Sequence, residues 1–178
     1  MQSRSLTEYV VLGALIEEPR HGYEIKQFLE ATLEATWRVS TSQLYTLLRR
    51  LTKERLIRGS LEMQKTRPSK RVFTLTDAGR QIFMDWLRAP AVHVRDFRME
   101  FLTKLFFFFQ YSMPGAKALV DSQGHVLTRH MEGTRRQSEN ETDPFKRLVF
   151  EFRMHTMESL CSWLSTEGRS FAEGLEND

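Results

Sequence analysis

The sequence predicts a mainly α-helical protein with one small β-hairpin. Apolar residues recur at helical spacing up to about residue 56 and again from residue 77 onward. Between these regions they alternate with polar residues at strand spacing, on both sides of a polar segment, Gln64–Lys70. With 178 residues, 40% of them apolar, the chain is long enough for one core and a second, smaller one.

Three helices are predicted before the hairpin. The first, Leu6–Glu17, is apolar around much of its surface, and Pro19 ends it. The second, Tyr23–Thr36, is amphipathic. The third, Ser40–Glu54, begins with a serine three residues before Gln43, which is the spacing of a capping box. Its apolar stripe consists of Leu44, Leu47, Leu48 and Leu51.

The hairpin and the helix after it complete the N-terminal half. Ile57–Met63 and Arg71–Leu75 alternate as strands do, and Thr76 is a suitable N-cap for a helix over Asp77–Arg88. Gly79 in the first turn of that helix lowers helix propensity but permits close packing. The order helix, helix, helix, hairpin, helix predicts a winged helix-turn-helix domain.

The remaining chain predicts a second domain built from helices. Ala89-Pro90 marks a boundary, so we expect a winged-helix domain at residues 1–90 and a helical dimerisation domain at residues 91–178. Helices are predicted over 97–111, 115–137 and 145–166, and the tail from Gly168 is predicted to be frayed. The last helix carries apolar residues at alternating spacings of three and four, as a helix–helix seam does.

The apolar faces of this second domain supply candidate dimer contacts. A closed intramolecular bundle is the alternative use of the same faces. The candidate dimerisation residues are Leu119, Val126, Met131, Phe145, Val149, Phe152, Leu160 and Trp163.

The positive charge of the chain is concentrated in one window. Residues 1–90 hold 15 Lys/Arg and 10 Asp/Glu, whereas residues 91–178 hold 11 and 13. Residues 38–71 alone hold 10 basic and 2 acidic side chains, a net charge of +8. Such a block attracts a polyanion and releases counterions on docking; a solvated basic face is the alternative.

The polar face of the third helix matches the chemistry of DNA recognition. Amide and guanidinium groups read base edges in the major groove, while Lys, Ser and Thr hold phosphates. Gln43 has a competing role in the capping box, and the basic residues have one as solvated surface charges. The candidate DNA-binding residues are Thr41, Ser42, Gln43, Thr46, Arg49, Arg50 and Lys53 on the helix, with Lys65, Arg67, Lys70 and Arg71 on the hairpin.

Other function classes find little support in the sequence. There is no phosphate-cradling glycine loop, no Gly-x-Ser-x-Gly turn and no histidine pair at ligand spacing, so no enzyme activity, cofactor or metal site is expected. The longest apolar run, Leu105–Phe109, is too short to span a bilayer. The N-terminus lacks a signal-peptide core, and one cysteine fits a reducing compartment, so a cytoplasmic protein is expected.

Several segments resemble the PadR family of transcriptional regulators. The N-terminal segments are HGYEI at 21–25, WRVSTSQLY at 37–45, LLRRL at 47–51 and VFTLTDAGR at 72–80. FRMEFLTKLFF at 97–107 and SWL at 162–164 are similar to the C-terminal dimerisation domain of the longer members. The resemblance implies a homodimer that binds double-stranded DNA at a palindromic operator. It favours repression, although longer relatives include activators.

The resemblance also implies roles for single residues. Tyr45 matches a family tyrosine that reaches the DNA backbone, with packing at the core edge as the alternative. Arg55 stands where the family usually has glycine, so a left-handed or altered turn is expected there. Several members respond to a small molecule such as a phenolic acid, which implies a small aromatic effector. The run Phe106–Phe109 fits either interface packing or a pocket for it.

Three functions are therefore in competition. The leading one is an operator-binding regulator controlled by a ligand or a partner. The second is a winged-helix module that binds proteins and not DNA, and the third is a small-molecule sensor without direct DNA binding. The basic helix and hairpin discriminate between them, because only the first function needs their charge.

Overall fold

The computed structural model describes residues 4–32, 39–62 and 70–177. The chain divides into two compact units, one within residues 1–87 and one within residues 88–178. In the described ranges, no helix is both long enough and apolar enough to cross a membrane.

The N-terminal unit is a winged-helix domain, and the mainly α-helical fold class with a small sheet is confirmed. Its strands form one antiparallel sheet in the order β1-β3-β2. The elements are α1 (Leu6–Gly13), β1 (Arg20–His21), α2 (Gly22–Thr32), α3 (Thr41–Lys53), β2 (Ile57–Glu62), β3 (Lys70–Leu75) and α4 (Asp77–Arg88).

Two predicted helix starts are confirmed by their caps. Ser40 and Gln43 form the capping box of α3: the Gln43 amide donates to the Ser40 hydroxyl over 3.2 Å, and the Ser40 amide donates to the Gln43 side chain over 3.0 Å. At α4, the Gly79 amide donates to the Thr76 hydroxyl over 3.1 Å. The sequence therefore sets where both helices begin.

The predicted extent of the first helix is wrong. α1 ends at Gly13, and the amides of Leu15 and Ile16 donate to the carbonyls three residues back, as in turns. Their side chains are buried, so the apolar pattern that predicted a longer helix belongs to a turn that packs into the core. Pro19 also disfavours helical backbone at the residue before it.

Strand β1 was not predicted from the sequence. Arg20 pairs with Phe73 and His21 pairs with Val72, which adds a third strand beside the predicted hairpin. A strand of two residues is too short to show an alternating pattern, so sequence periodicity gives no signal for it.

The turn after α3 joins this helix to the wing and to α4. Arg55 has a left-handed φ of 58°, the conformation expected at a position where the family usually has glycine. The amide of Arg55 donates to the Thr52 carbonyl, and the amide of Leu56 donates to the Leu51 carbonyl. The Leu56 carbonyl accepts from the backbone amide of Thr76 over 3.1 Å and from its hydroxyl over 2.9 Å. The start of the wing is thereby tied to its end.

The C-terminal unit is helical throughout most of its length. Helix α6 packs along α7 and α8. The elements are a 3-10 turn (Val94–Asp96), a π-helical turn (Phe97–Phe101), α5 (Leu102–Gln110), α6 (Ala116–Glu139), α7 (Pro144–Trp163), a second π-helical turn (Leu164–Gly168) and α8 (Arg169–Asn177).

Two predictions in this unit are wrong. The single helix predicted over 97–111 begins with a π-helical turn, and the tail predicted to fray is α8, with Ala172 fully buried. Gly168 is buried, and a Cβ there would lie 3.2 Å from the Trp163 ring. The glycine therefore allows close packing of the tail and does not stop the helix.

The chain segment at the start of this unit is held by three polar side chains. Lys104 donates from Nζ to the Ala89 carbonyl over 2.8 Å, and Gln123 makes two hydrogen bonds with the backbone of Ala91. His130 contacts the Val92 carbonyl over 2.8 Å. Burial lowers the pKa of the Lys104 ammonium, and the carboxylate of Glu100 beside it opposes this shift.

Replacing Gly79 tests the packing of α4 against the turn after α3. A Cβ at this position would collide with the Leu56 carbonyl oxygen, which belongs to the backbone and cannot swing away. We expect Gly79→Ala to lower the free energy of unfolding by roughly 1–3 kcal/mol in urea titrations. Gly124→Ala in α6 is the control, since a Cβ there meets open space and should be neutral or slightly stabilising. Equal effects of the two substitutions would contradict this packing.

Candidate nucleic-acid interface

Helix α3 has one buried face and one exposed face. All four predicted leucines, Leu44, Leu47, Leu48 and Leu51, are buried, so the apolar stripe is confirmed. The side chains predicted to meet DNA lie on the opposite side and are exposed: Thr41, Ser42, Gln43, Tyr45, Thr46, Arg49, Arg50 and Lys53.

A groove of about 700 Å³ runs between α3 and strand β3. We call it the cationic groove, because the described residues that line it include three basic side chains and no acidic one. Leu48 and Phe73 are buried at its base. Its lining residues are Ser42, Tyr45, Leu48, Arg49, Thr52, Lys53, Arg71 and Phe73.

The three basic residues of the cationic groove keep their charges available. Within the part of the chain that the structure describes, Arg49, Lys53 and Arg71 have no carboxylate within 4.0 Å. Arg49 donates to the Thr46 hydroxyl over 3.2 Å, which orients its guanidinium along the helix. These cations are therefore free to bind an anion.

The wing contributes Arg71 to this groove. Its guanidinium carbon lies 5.9 Å from the centroid of the Phe73 ring, and a Cβ on Gly59 would lie 2.8 Å from its Nε. Gly59 thus leaves room for the arginine to lie across the sheet. Lys70 begins β3, whereas the predicted contacts Lys65 and Arg67 fall outside the described residues.

Tyr45 lies against the start of α2. A Cβ on Gly22 would lie 2.9 Å from the Tyr45 hydroxyl oxygen and 3.1 Å from the ring, so the glycine of the HGYEI segment makes room for this tyrosine. The ring is still 44% exposed and lines the cationic groove. Tyr45 therefore packs at the core edge, which was one of the two roles considered for it, and its contact with the DNA backbone stays a prediction.

Gln43 is committed in part to the capping box of α3. Its side-chain carbonyl accepts from the Ser40 amide over 3.0 Å, which leaves its NH₂ group as the free hydrogen-bonding end. Ser42 and Thr46 are exposed beside it and line a shallow hollow with Ser5 and Thr7. The start of α3 therefore presents small hydroxyls and an amide donor to any ligand.

Arg50 differs from the other basic residues of α3. Its guanidinium contacts the carboxylate of Glu8, a residue of α1 that is only 4% exposed. Arg4 lies 3.7 Å from Glu8 and 2.7 Å from Glu54, which completes a group of two acidic and two basic side chains. The sequence analysis missed Glu8. The only sequence signal for it was the Ser5-x-x-Glu8 capping box at the start of α1.

The candidate dimerisation residues divide into two sets within the C-terminal unit. Leu119 and Val126 are buried in one protomer, Trp163 packs edge-on against Phe97 and Phe101, and Met131 lies 3.7 Å from the Cys161 sulfur. By contrast, Phe145 and Phe152 are each 71% exposed on α7, and Val149 and Leu160 are half-buried. The exposed face of α7 is thus the part of the set that remains open to a partner.

The fold and this groove define a winged-helix protein with a basic α3 and wing. Residues 11–85 match the model of the transcriptional regulator PadR-like family. The matched residues lie within the N-terminal winged-helix domain and make up less than half of the 178-residue chain.

Two curated relatives show sequence similarity to this chain. The negative transcriptional regulator PadR of Bacillus subtilis is 32% identical over 116 residues, which cover 65% of this chain and 64% of the relative. A probable transcriptional regulator of Mycobacterium tuberculosis is 27% identical over 95 residues, or 53% of this chain and 50% of the relative. The matched segments thus span between half and two thirds of these relatives' length.

A crystal structure of Bacillus subtilis PadR in complex with operator DNA is also similar. It has 25% sequence identity and a TM-score of 0.49, and the alignment covers 96% of this chain and 99% of that chain.

Proposed function

We propose that the protein is a homodimeric transcriptional regulator that binds a palindromic operator and acts as a repressor. The observation that carries the proposal is the cationic groove, which Arg49, Lys53 and Arg71 line with no carboxylate of the described residues within 4.0 Å of them. A helix of the width of α3 fits the major groove of B-DNA, and a wing beside it reaches the adjacent phosphates. The name of the Bacillus subtilis relative, a negative regulator, supports repression.

The side chains along α3 suggest a division of labour on DNA. Ser42, Gln43 and Thr46 lie in its first two turns, where recognition helices contact base edges. Arg49 and Lys53 follow one turn apart and, with Arg71 of the wing, suit phosphate oxygens. We therefore assign base reading to the N-terminal end of α3 and backbone binding to the cationic groove.

Reversing two charges of the cationic groove tests DNA binding. We expect wild-type protein to select a few genomic fragments, including the region upstream of its own gene, with an affinity that falls steeply with salt. Arg49→Glu with Arg71→Glu should weaken binding by at least about 100-fold, since two phosphate contacts are lost and repulsion replaces them. Fluorescence anisotropy with labelled duplexes measures both.

The control is a second double reversal, Arg88→Glu with Arg135→Glu, at exposed positions outside the groove. It changes the net charge equally and should retain most of the binding. If both double variants bind like wild type, or if wild-type protein binds every fragment equally and weakly, a protein-binding role for the winged helix replaces DNA binding.

The exposed apolar face of α7 supports the dimer. Phe145, Leu148 and Phe152 are spaced three and four residues apart, so they share one side of the helix, and all three are exposed in the single chain. Large aromatic side chains in such a row are typical of interfaces. A two-fold dimer would also place two α3 helices for the two halves of a palindrome.

Placing a charge on this face tests the dimer. We expect Phe145→Glu and Phe152→Glu each to raise the dimer dissociation constant at least about tenfold in sedimentation velocity experiments, because a carboxylate would be buried without a partner. Phe109→Glu is the control, since Phe109 is 57% exposed on α5 and pairs with Phe171. A wild-type monomer, or equal effects at all three positions, would refute this interface.

A groove in the C-terminal unit suits a small aromatic effector. Its volume is about 470 Å³, and Phe152 and Met157 form part of its wall. The described residues that line it include no carboxylate. Its basic side chains are two histidines and two arginines: His93, His130, Arg95 and Arg153. Guanidinium groups bind carboxylates well, and an aromatic wall binds a ring. The phenylalanine run Phe106–Phe109 does not line it. We therefore propose that an aromatic carboxylate binds here.

Calorimetric titration with phenolic carboxylic acids tests this site. We expect at least one of them to bind the wild-type dimer with a saturable heat, and Arg153→Gln to weaken it about tenfold or more through the loss of a charged hydrogen bond. Arg135→Gln, an exposed arginine of α6 outside the groove, should bind as wild type does. Equal weakening by both variants would argue against the groove, as would no saturable heat with any acid.

A further inference from the structure

We propose that Glu8 is a positioning residue of the DNA-binding surface. Its buried carboxylate binds Arg50 and keeps this cation away from DNA phosphates, so that Arg49, Lys53 and Arg71 form the phosphate-binding set. The inference rests on the proposed function and concerns the same surface. It changes the assignment of Arg50 from a DNA contact to an internal ion pair.

The Glu8 carboxylate is buried and therefore needs a charged partner. The residue is 4% exposed, and a buried carboxylate is strongly unfavourable unless it is paired. One of its oxygens, Oε1, contacts Arg50, while the other, Oε2, accepts from the Ser5 amide over 3.2 Å and lies 3.7 Å from Arg4. Both oxygens are therefore occupied only while Arg50 stays in place.

Arg50 would lose two acidic partners if its side chain turned toward DNA. Its guanidinium contacts Glu8 through Nη2 and lies 4.0 Å from Glu54 through Nε. The group formed by Arg4, Glu8, Arg50 and Glu54 carries no net charge. The Arg50 side chain is 54% exposed, but a phosphate contact that drew its guanidinium away from α1 would leave the Glu8 carboxylate buried without its main partner, which disfavours that movement.

The two edges of α3 differ in net charge. Arg50 and Glu54 lie one turn apart on one edge, which the ion pairs neutralise. Arg49 and Lys53 also lie one turn apart, but their edge is turned by about 100° around the helix and faces Arg71 across the cationic groove. Helix α3 therefore has one neutral edge and one cationic edge, although its sequence is basic on both.

This asymmetry bears on selectivity. Phosphate contacts add affinity for every sequence, whereas base contacts discriminate between sequences. Because Glu8 binds Arg50, the protein makes one sequence-independent phosphate contact fewer. The orientation of α3 on DNA then depends on the phosphate contacts of the cationic edge. Releasing Arg50 should therefore raise affinity for any duplex and reduce the preference for the operator.

The test is the salt dependence of duplex binding by Glu8→Gln. Glutamine also closes a capping box and has nearly the same volume, so the start of α1 should be preserved. We expect the slope of log K against log salt to steepen by about 1.8 for the dimer, because each protomer gains one phosphate contact worth about 0.9. Adding Arg50→Gln should restore the wild-type slope. Glu17→Gln, an exposed residue, gives the same change in net charge and should leave the slope unchanged.

Two further variants keep the test decisive if Glu8→Gln does not fold, as judged by thermal unfolding. Arg50→Gln alone should retain the wild-type slope, whereas Arg49→Gln should lose about 1.8 of it, one contact in each protomer. Equal losses in the two variants would overturn the role of Glu8 and leave DNA binding itself intact. Wild-type protein without salt-dependent duplex binding would instead refute the proposed function.

Discussion

The backbone carbonyl of Leu56 holds together the elements that form the cationic groove. It accepts hydrogen bonds from the amide and hydroxyl of Thr76, so the first residues of the wing are fixed to the last. Gly79 lies against the same oxygen, which leaves no room for a side chain. Arg55 in this turn has a left-handed backbone, which costs about 1 kcal/mol in a non-glycine residue. The hydrogen bonds at the junction offset this cost. The junction thus fixes the turn that leads from α3 into the sheet, and Arg49 and Arg71 line the same groove on either side of it.

Charge is distributed on this domain by burial as well as by composition. The window at residues 38–71 is strongly basic in the sequence, yet only part of that charge reaches the groove. A single buried acid in α1 holds one arginine of α3, and the neighbouring arginine remains free. The number of basic residues on α3 therefore overstates the number of cations that have no carboxylate beside them.

The fold could be predicted from sequence wherever a local pattern determines it. The start of α3 follows from the Ser40 and Gln43 pair, and the limits of α4 follow from Thr76 and an amphipathic stripe. The pairing of β1 with β3 could not be predicted, because two residues have no period. The partner of Arg50 was equally hidden, since Glu8 lies 42 positions earlier and meets it only through packing. The tail after Gly168 was wrongly predicted to fray, because a glycine can end a helix or permit a close contact, and here it permits the contact with Trp163.

The hydrogen bonds on residues 89–92 decide where the C-terminal unit can be cut. Lys104 and Gln123 are buried, and their partners are the backbone groups of Ala89 and Ala91. A fragment that began at residue 93 would leave the buried Gln123 amide without its backbone partners, a cost of about 1–3 kcal/mol, and the Lys104 ammonium would keep Glu100 but lose the Ala89 carbonyl. The segment at the predicted domain boundary is therefore an integral part of the helical unit, and separate expression of that unit requires it.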